Sequence, residues 1–247
     1  MTYEPIIPRA RIGFIIPTSN RLVEPQMQQY MPAGVVPHFT RIGMTNTHKA
    51  PLDQLLPRIL HAASMLAESD CSVTVLQCTG TSMSGGVDAE KHVIAEIERA
   101  TGRPAISAAS AVTAALGAVN GRRLVFVSET KQREHDEKLK FLREMGYDIL
   151  ADKAAGLSGS AEYSTMPPQF WFDQAIALRR RDADAYFISC ANIQSIPVIR
   201  QLEQELCRPV VTSNQASLWL SLRKAGIHDV IPALGQLLQL DHAVAHA

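Results

Sequence analysis

The strongest constraint on the fold is an apolar run that stops abruptly in a thiol and a polar, glycine-rich turn, and that returns 112 residues later. Ser72-Val73-Thr74-Val75-Leu76-Gln77 leads into Cys78-Thr79-Gly80-Thr81-Ser82-Met83-Ser84-Gly85-Gly86, and Ala185-Tyr186-Phe187-Ile188-Ser189 leads into Cys190-Ala191-Asn192. Short β-branched runs of this kind read as buried strands, and the polar turn marks the end where an α/β sheet binds ligands. The stretch from Arg11 to Asn20 has its counterpart in Arg123 to Thr130, again 112 positions on, and Arg103-Pro104-Ala105-Ile106-Ser107 pairs with Arg208-Pro209-Val210-Val211-Thr212 at an offset of 105. Three correspondences at nearly one period indicate a duplicated unit. Two such halves place two strand-end cysteines across a shared cleft.

Between these anchors the pattern alternates strand and helix. Strands are expected at 11–16, around 35–42, at 73–77, 104–107, 123–128, near 147–154, at 184–189 and at 209–212. Amphipathic helices are expected at 51–68, 87–100, 109–119, 131–145, from Pro167-Pro168 to about 180, at 195–206 and at 215–225. Such alternation implies an α/β fold of two pseudo-symmetric halves, each a parallel sheet flanked by helices, with the site in the cleft between them. Asn120-Gly121 is a turn signal at the half boundary. The first half is expected to span 1–120, with the segment from about 208 to 247 packing on it, and the second to span 121–207.

At 247 residues the chain can bury an ample core, and its charges balance, with 24 Lys plus Arg against 24 Asp plus Glu. No basic field of the kind a nucleic-acid binder needs is present, and no apolar run is long enough for a membrane span. The N-terminus does not read as a signal peptide, so a soluble cytoplasmic protein with reduced thiols is expected. Four cysteines without a CxxC pair suit neither a disulfide framework nor a zinc site. The helical spacing of His242 and His246 is a weak metal signal, and no metal is expected.

Cys71 and Cys207 read as small buried hydrophobes. Cys78 and Cys190 differ, because a strand end followed by a helix N-terminus exposes thiols to backbone N–H groups that lower a thiol pKa. Two facing thiols suit either a nucleophile beside a proton donor or a base and an acid on opposite faces of one carbon. Asn214 and Gln215 read as caps of the last helix, Glu24 and His135 as solvated or capping groups, and Phe170, Trp171 and Phe172 as packing.

Together, Cys78-Thr79-Gly80-Thr81-Ser82 with Gly85-Gly86, Cys190-Ala191-Asn192-Ile193, Pro17-Thr18-Ser19-Asn20 and Ser213-Asn214-Gln215-Ala216 before Leu218-Trp219 resemble the aspartate/glutamate racemase superfamily. Within it they look most like the branch of maleate cis-trans isomerases and arylmalonate decarboxylases, over about residues 10–230. The resemblance implies a cofactor-free enzyme with a small carboxylate or dicarboxylate substrate, and a homo-oligomer is possible. It implies Cys78 as the nucleophile that adds to an alkene carbon and Cys190 as proton donor or acceptor. Asn20, Thr79, Ser82, Ala191 and Asn192 would bind substrate carboxylate. The decarboxylases carry Gly where Cys78 stands and lack the Asn of the first turn, so Cys78 and Asn20 favour an isomerase over the alternative, a decarboxylase or racemase that protonates an enolate-like intermediate from Cys190. A non-catalytic carboxylate-binding protein is the reading outside enzymes. The sequence departs from the isomerase pattern at Thr130, where the branch usually has Tyr, and at Ser160, where a loop Asn is common. Both are retained as candidate substrate contacts.

Overall fold

The computed structural model describes residues 7–43 and 52–240, so His242 and His246 lie outside the described residues. The first half runs β1 (Ala10–Pro17), α1 (Val23–Tyr30), β2 (Val35–Ile42), α2 (Leu52–Glu68), β3 (Val73–Leu76), α3 (Thr79–Ser84), α4 (Gly86–Thr101), β4 (Ala105–Ser107) and α5 (Ala108–Ala118). The second runs β5 (Arg123–Ser128), α6 (Gln132–Glu144), β6 (Asp148–Ala154), α7 (Ser160–Thr165), α8 (Pro168–Ala177), β7 (Ala185–Ile188), α9 (Ile199–Leu206), β8 (Val210–Thr212) and α10 (Ser213–Lys224). Among the described residues these strands form two four-stranded sheets, ordered β2-β1-β3-β4 and β6-β5-β7-β8, with every pairing parallel. Identical strand order in both sheets is the structural form of the 112-residue repeat.

Parallel strands covered on both faces read as continuous apolar runs rather than alternating ones. Accordingly Val73–Leu76 and Ala185–Ile188 are buried at every position. In each sheet the strand order reverses direction between the two central strands, the switch point where ligands bind at the strands' C-terminal ends. The register puts equivalent residues there. Ile15 pairs with Leu76 and Val127 with Ile188, and the ladders extend by Gln77 N–H to Ile15 O (2.9 Å) and Ser189 N–H to Val127 O (2.8 Å). Two steps further, Pro17 lies beside Cys78 and Glu129 beside Cys190.

Strand β8 joins the second sheet, while α10 packs against α5 of the first half. These two helices are repeat equivalents, and each starts straight off its strand in a capping box. Ser107 and Ser110 exchange side-chain and backbone bonds, and so do Thr212 and Gln215. Gln215 is therefore a capping residue, as expected, but the N-cap itself is Thr212. Helix α10 is buried from Ser213 through Arg223 despite its polar composition, because it is packed between the halves.

Three short helices are additions to the expected pattern: α1, α3 and α7. Each is eight residues or shorter, too brief for the periodicity of an apolar face to register. Cys207 is a correction. Cys71 is buried as expected, but Cys207 is exposed, because it ends α9 in a left-handed conformation (φ 53°) at the surface. His135 is also a correction, being fully buried on α6 rather than solvated. Trp171 is buried edge-on against Phe170, consistent with packing. Among the described residues no helix is long and apolar enough to cross a membrane.

Candidate active site

The C-terminal ends of β1, β3, β5 and β7 and the start of α7 surround a narrow cleft lined by both Cys78 and Cys190. Of the residues singled out from sequence, Asn20, Thr79, Ala191, Asn192 and Ser160 line it too. Ser82 and Thr130 do not. Ser82 accepts the Ala109 N–H at 3.1 Å and donates to Thr79 O at 3.2 Å, so its hydroxyl ties α3 to α5. Thr130 lies beside Ser128 (3.2 Å between hydroxyl oxygens) and faces a separate small cavity with Gly80, Ser84 and Lys138.

Asn20 stitches the halves together. Its Oδ1 accepts from the N–H groups of Leu22 and Val23, closing the entry to α1, and its Nδ2 donates to Ala191 O at 3.1 Å. One amide hydrogen remains for a ligand. The reciprocal contact is Arg21 N–H to Asn192 Oδ1 at 2.8 Å, and Asn192 Nδ2 donates to Ser160 O at 2.9 Å. Replacing Asn20 by alanine removes a cap and a cross-cleft bond together. The expected cost is about 1–2 kcal/mol, a fall in Tm of roughly 3–8 °C for a chain of this size. Differential scanning calorimetry reads this directly, and an unchanged Tm would mean that the cleft is held by other contacts.

Asn214 is not confined to the helix start. It accepts from Gln77 Nε2 (2.7 Å) and donates to Gln26 Oε1 (2.6 Å) and Ala191 O (3.1 Å). This buried network leaves Gln77 Oε1 without a protein partner, and Thr79 Oγ1 is likewise buried and unpartnered. Both residues line the cleft. Unpaired buried polar groups cost about 1–3 kcal/mol each, so these two oxygens are open hydrogen-bonding positions at the cleft wall.

The two thiols are held differently. Cys78 Sγ lies 3.1 Å from Thr81 Oγ1 at the start of α3. Cys190 adopts φ 112°, a region that costs a non-glycine residue of order 1–3 kcal/mol. It is held there by its N–H donating to Ser213 Oγ (3.0 Å) and by Asn192 N–H donating to its Sγ (3.2 Å). Burial pushes the Cys78 thiol pKa up, against the Thr81 hydroxyl and N–H that favour the thiolate. Burial also pushes Cys190 well above the ordinary thiol value, and the Glu129 charge adds to the effect. The depressed values expected from sequence are thus overturned. A helix terminus offers about 0.3–1 kcal/mol, whereas full burial shifts a pKa by up to 3–5 units.

Glu129, Gln77 and Tyr163 were not identified from sequence, yet all three line the cleft. Glu129 is almost fully buried and paired with the equally buried Lys138 of α6 at 2.7 Å. Its loop is anchored by a hydrogen-bonded chain in which His135 Nε2 lies 2.9 Å from Asp152 Oδ1 and Nδ1 2.6 Å from Ser128 Oγ. The order Ser, His, Asp resembles a hydrolase triad, but Ser128 is fully buried beneath His135 and bonded to Thr130, away from the cleft. Glu24 pairs with Arg41 at 2.9 Å. Among the described residues no cluster of three His, Cys, Asp or Glu is arranged to hold a metal ion.

The family model described as arylmalonate decarboxylase matches residues 12–238, nearly the whole chain. The chain belongs to the arylmalonate decarboxylase family. Among curated relatives, the maleate isomerase of Nocardia farcinica is 25% identical over 95% of this chain and 97% of its own. The arylmalonate decarboxylase of Bordetella bronchiseptica is 22% identical, covering 87% of this chain and 90% of its own. The fold matches a solved cysteine-to-serine variant of the Nocardia farcinica maleate cis-trans isomerase with a covalently bound succinylcysteine intermediate. That likeness has a TM-score of 0.84 at 20% identity, over 93% of this chain and 98% of the other. The chain thus has relatives named for two different reactions, and the cleft residues must choose between them.

Proposed function

We propose that this protein is a cofactor-independent cis-trans isomerase of a small unsaturated dicarboxylate, of the maleate type. The observation that carries this reading is that Cys78 and Cys190 line one cleft from the two repeat-related halves. A decarboxylase that protonates its intermediate from a single thiol has no use for the other.

The Cys78 thiolate adds to one alkene carbon, forming a C–S bond, and the π electron pair moves to the neighbouring carbon and into its carboxylate. Cys190 delivers its proton to that carbon. What was a double bond is now a single bond and rotates freely. The Cys190 thiolate then removes the proton, the C–S bond breaks, and the trans diacid leaves with Cys78 again a thiolate. Once Cys78 has given its proton to solvent, atoms and charge balance through the cycle, with Cys190 both giving and taking back the one proton transferred. In this reading the Thr79 hydroxyl, the remaining Asn20 amide hydrogen and the Ala191 N–H stabilise the carboxylate on which charge accumulates. The Nocardia farcinica structure with its succinylcysteine adduct supports this order of events as a precedent in a relative of the same fold.

Proton NMR of purified protein incubated with maleate tests the reading, with growth of the fumarate signal as the expected result. If maleate persists while phenylmalonate loses carbon dioxide, the decarboxylase alternative replaces it. If neither changes, the enzyme acts on another carboxylate or only binds one.

A further inference from the structure

The two halves repeat each other in strand order, in capping boxes and in the placement of their thiols, but the mechanism requires the thiols to do different things. Something in the duplicated site must distinguish them. The residues beside the two sulfurs supply the difference. Pro17 occupies the strand end next to Cys78, and 112 positions later its repeat equivalent, Glu129, occupies the strand end next to Cys190. Both line the cleft. One thiol therefore has a neutral ring for a neighbour and the other a buried carboxylate.

We propose that Glu129, paired with Lys138, is the positioning residue that assigns the roles of the two cysteines, keeping Cys190 the proton donor and leaving Cys78 to act as the nucleophile. The inference rests on the isomerase reading for its catalytic meaning, but its physical content concerns the free protein. The Glu129 carboxylate lies 2.7 Å from Lys138 Nζ, and both side chains are almost fully buried. The Ser128–His135–Asp152 chain fixes the turn that carries it.

The titratable groups facing Cys190 are Glu129 from the end of β5, Lys138 from α6, Tyr163 from α7 and Cys78 from the end of β3. Glu129 disfavours the Cys190 thiolate through its charge and as a hydrogen-bond acceptor for the thiol, while Lys138, further back, opposes it. At Cys78 burial again disfavours the thiolate, but the Thr81 hydroxyl and N–H favour it and the order of the two charges is reversed, Lys138 outweighing Glu129, whereas at Cys190 Glu129 outweighs Lys138 and the Asn192 N–H. Once Cys190 has given up its proton, the adjacent carboxylate makes the resulting thiolate a stronger base. It is then driven to take the proton back in the elimination step, which closes the cycle.

The test is the pH dependence of iodoacetamide labelling at Cys190, mapped by peptide mass spectrometry in a Cys78→Ser background so that the other thiol cannot block the cleft. Exposed Cys207 serves as internal control. With Glu129→Gln added, the midpoint for Cys190 labelling should move to lower pH by about one unit or more, the scale of a close like charge. Glu129→Asp, which keeps the charge, should stay near the parent, and Cys207 should not move. A folded Glu129→Gln protein with an unmoved Cys190 midpoint would overturn the proposal. Should Glu129→Gln not fold, Glu129→Gln/Lys138→Met removes the whole pair, and a smaller shift in the same direction is expected. An unchanged or upward midpoint there would overturn it equally. Labelling needs no substrate, so the two readings fail separately. A protein that shifts as expected yet leaves maleate untouched keeps the role of Glu129 and loses the isomerase reading; one that isomerises maleate without the shift does the reverse.

Discussion

Cys78→Ala should lower kcat/KM for maleate by about 10⁴-fold or more, the scale on which a covalent route collapses when its nucleophile is removed. The adduct is what converts a double bond into a rotatable one, and among the described residues no third thiol lines the cleft. The substitution is conservative for the fold. Cys78 is buried, but it contributes a single sulfur to its surroundings and its side chain hydrogen-bonds to Thr81. Circular dichroism should therefore match the parent while fumarate production disappears. Residual turnover above one-tenth of the parent would show that Cys78 is dispensable and would transfer the chemistry to Cys190 alone.

Cys190→Ser should instead trap the reaction half-way. Protonating the carbanion next to a carboxylate is easy and can be completed by a hydroxyl or by water. Removing that proton again from a saturated carbon requires a base, and a serine hydroxyl is far too weak an acid to supply its alkoxide near neutral pH. General acid–base groups of this kind contribute about 10²–10⁴-fold, and turnover should fall by that much. Incubated with maleate, the variant should gain the mass of one maleic acid, and peptide mapping should place it on Cys78. A Cys190→Ser protein that loses turnover yet keeps its unmodified mass would put Cys190 before adduct formation and break the proposed order of steps.

Much of the architecture was legible in the sequence. The apolar runs ending at Pro17, Gln77, Ser128 and Ser189, the amphipathic stretch of α2 and the turn at Asn120-Gly121 are local signals, and their repetition at one period announced two equivalent halves. The convergence of Asn20, Thr79, Cys78, Cys190, Ala191, Asn192 and Ser160 follows from the same rule, since all lie just beyond strand ends or at the start of an adjoining loop. Ser82 and Thr130 share that location yet face elsewhere. Which way a residue points within a short helix or turn depends on its bonding partners, here Ala109 for Ser82 and Ser128 for Thr130.

The sequence by itself thus determined the repeat, the parallel α/β halves and the two strand-end thiols, because strand pattern and turn chemistry act over a few residues. Only the tertiary structure decided the state of those thiols. Their ionisation is set by desolvation, which sums over everything packed around the sulfur, and by Glu129 and Lys138, which lie 61 and 52 positions away from Cys190. A proline and a glutamate at equivalent repeat positions look like ordinary divergence along the chain. Brought to neighbouring strand ends in a buried cleft, where charges are poorly screened, they make two otherwise equivalent cysteines different.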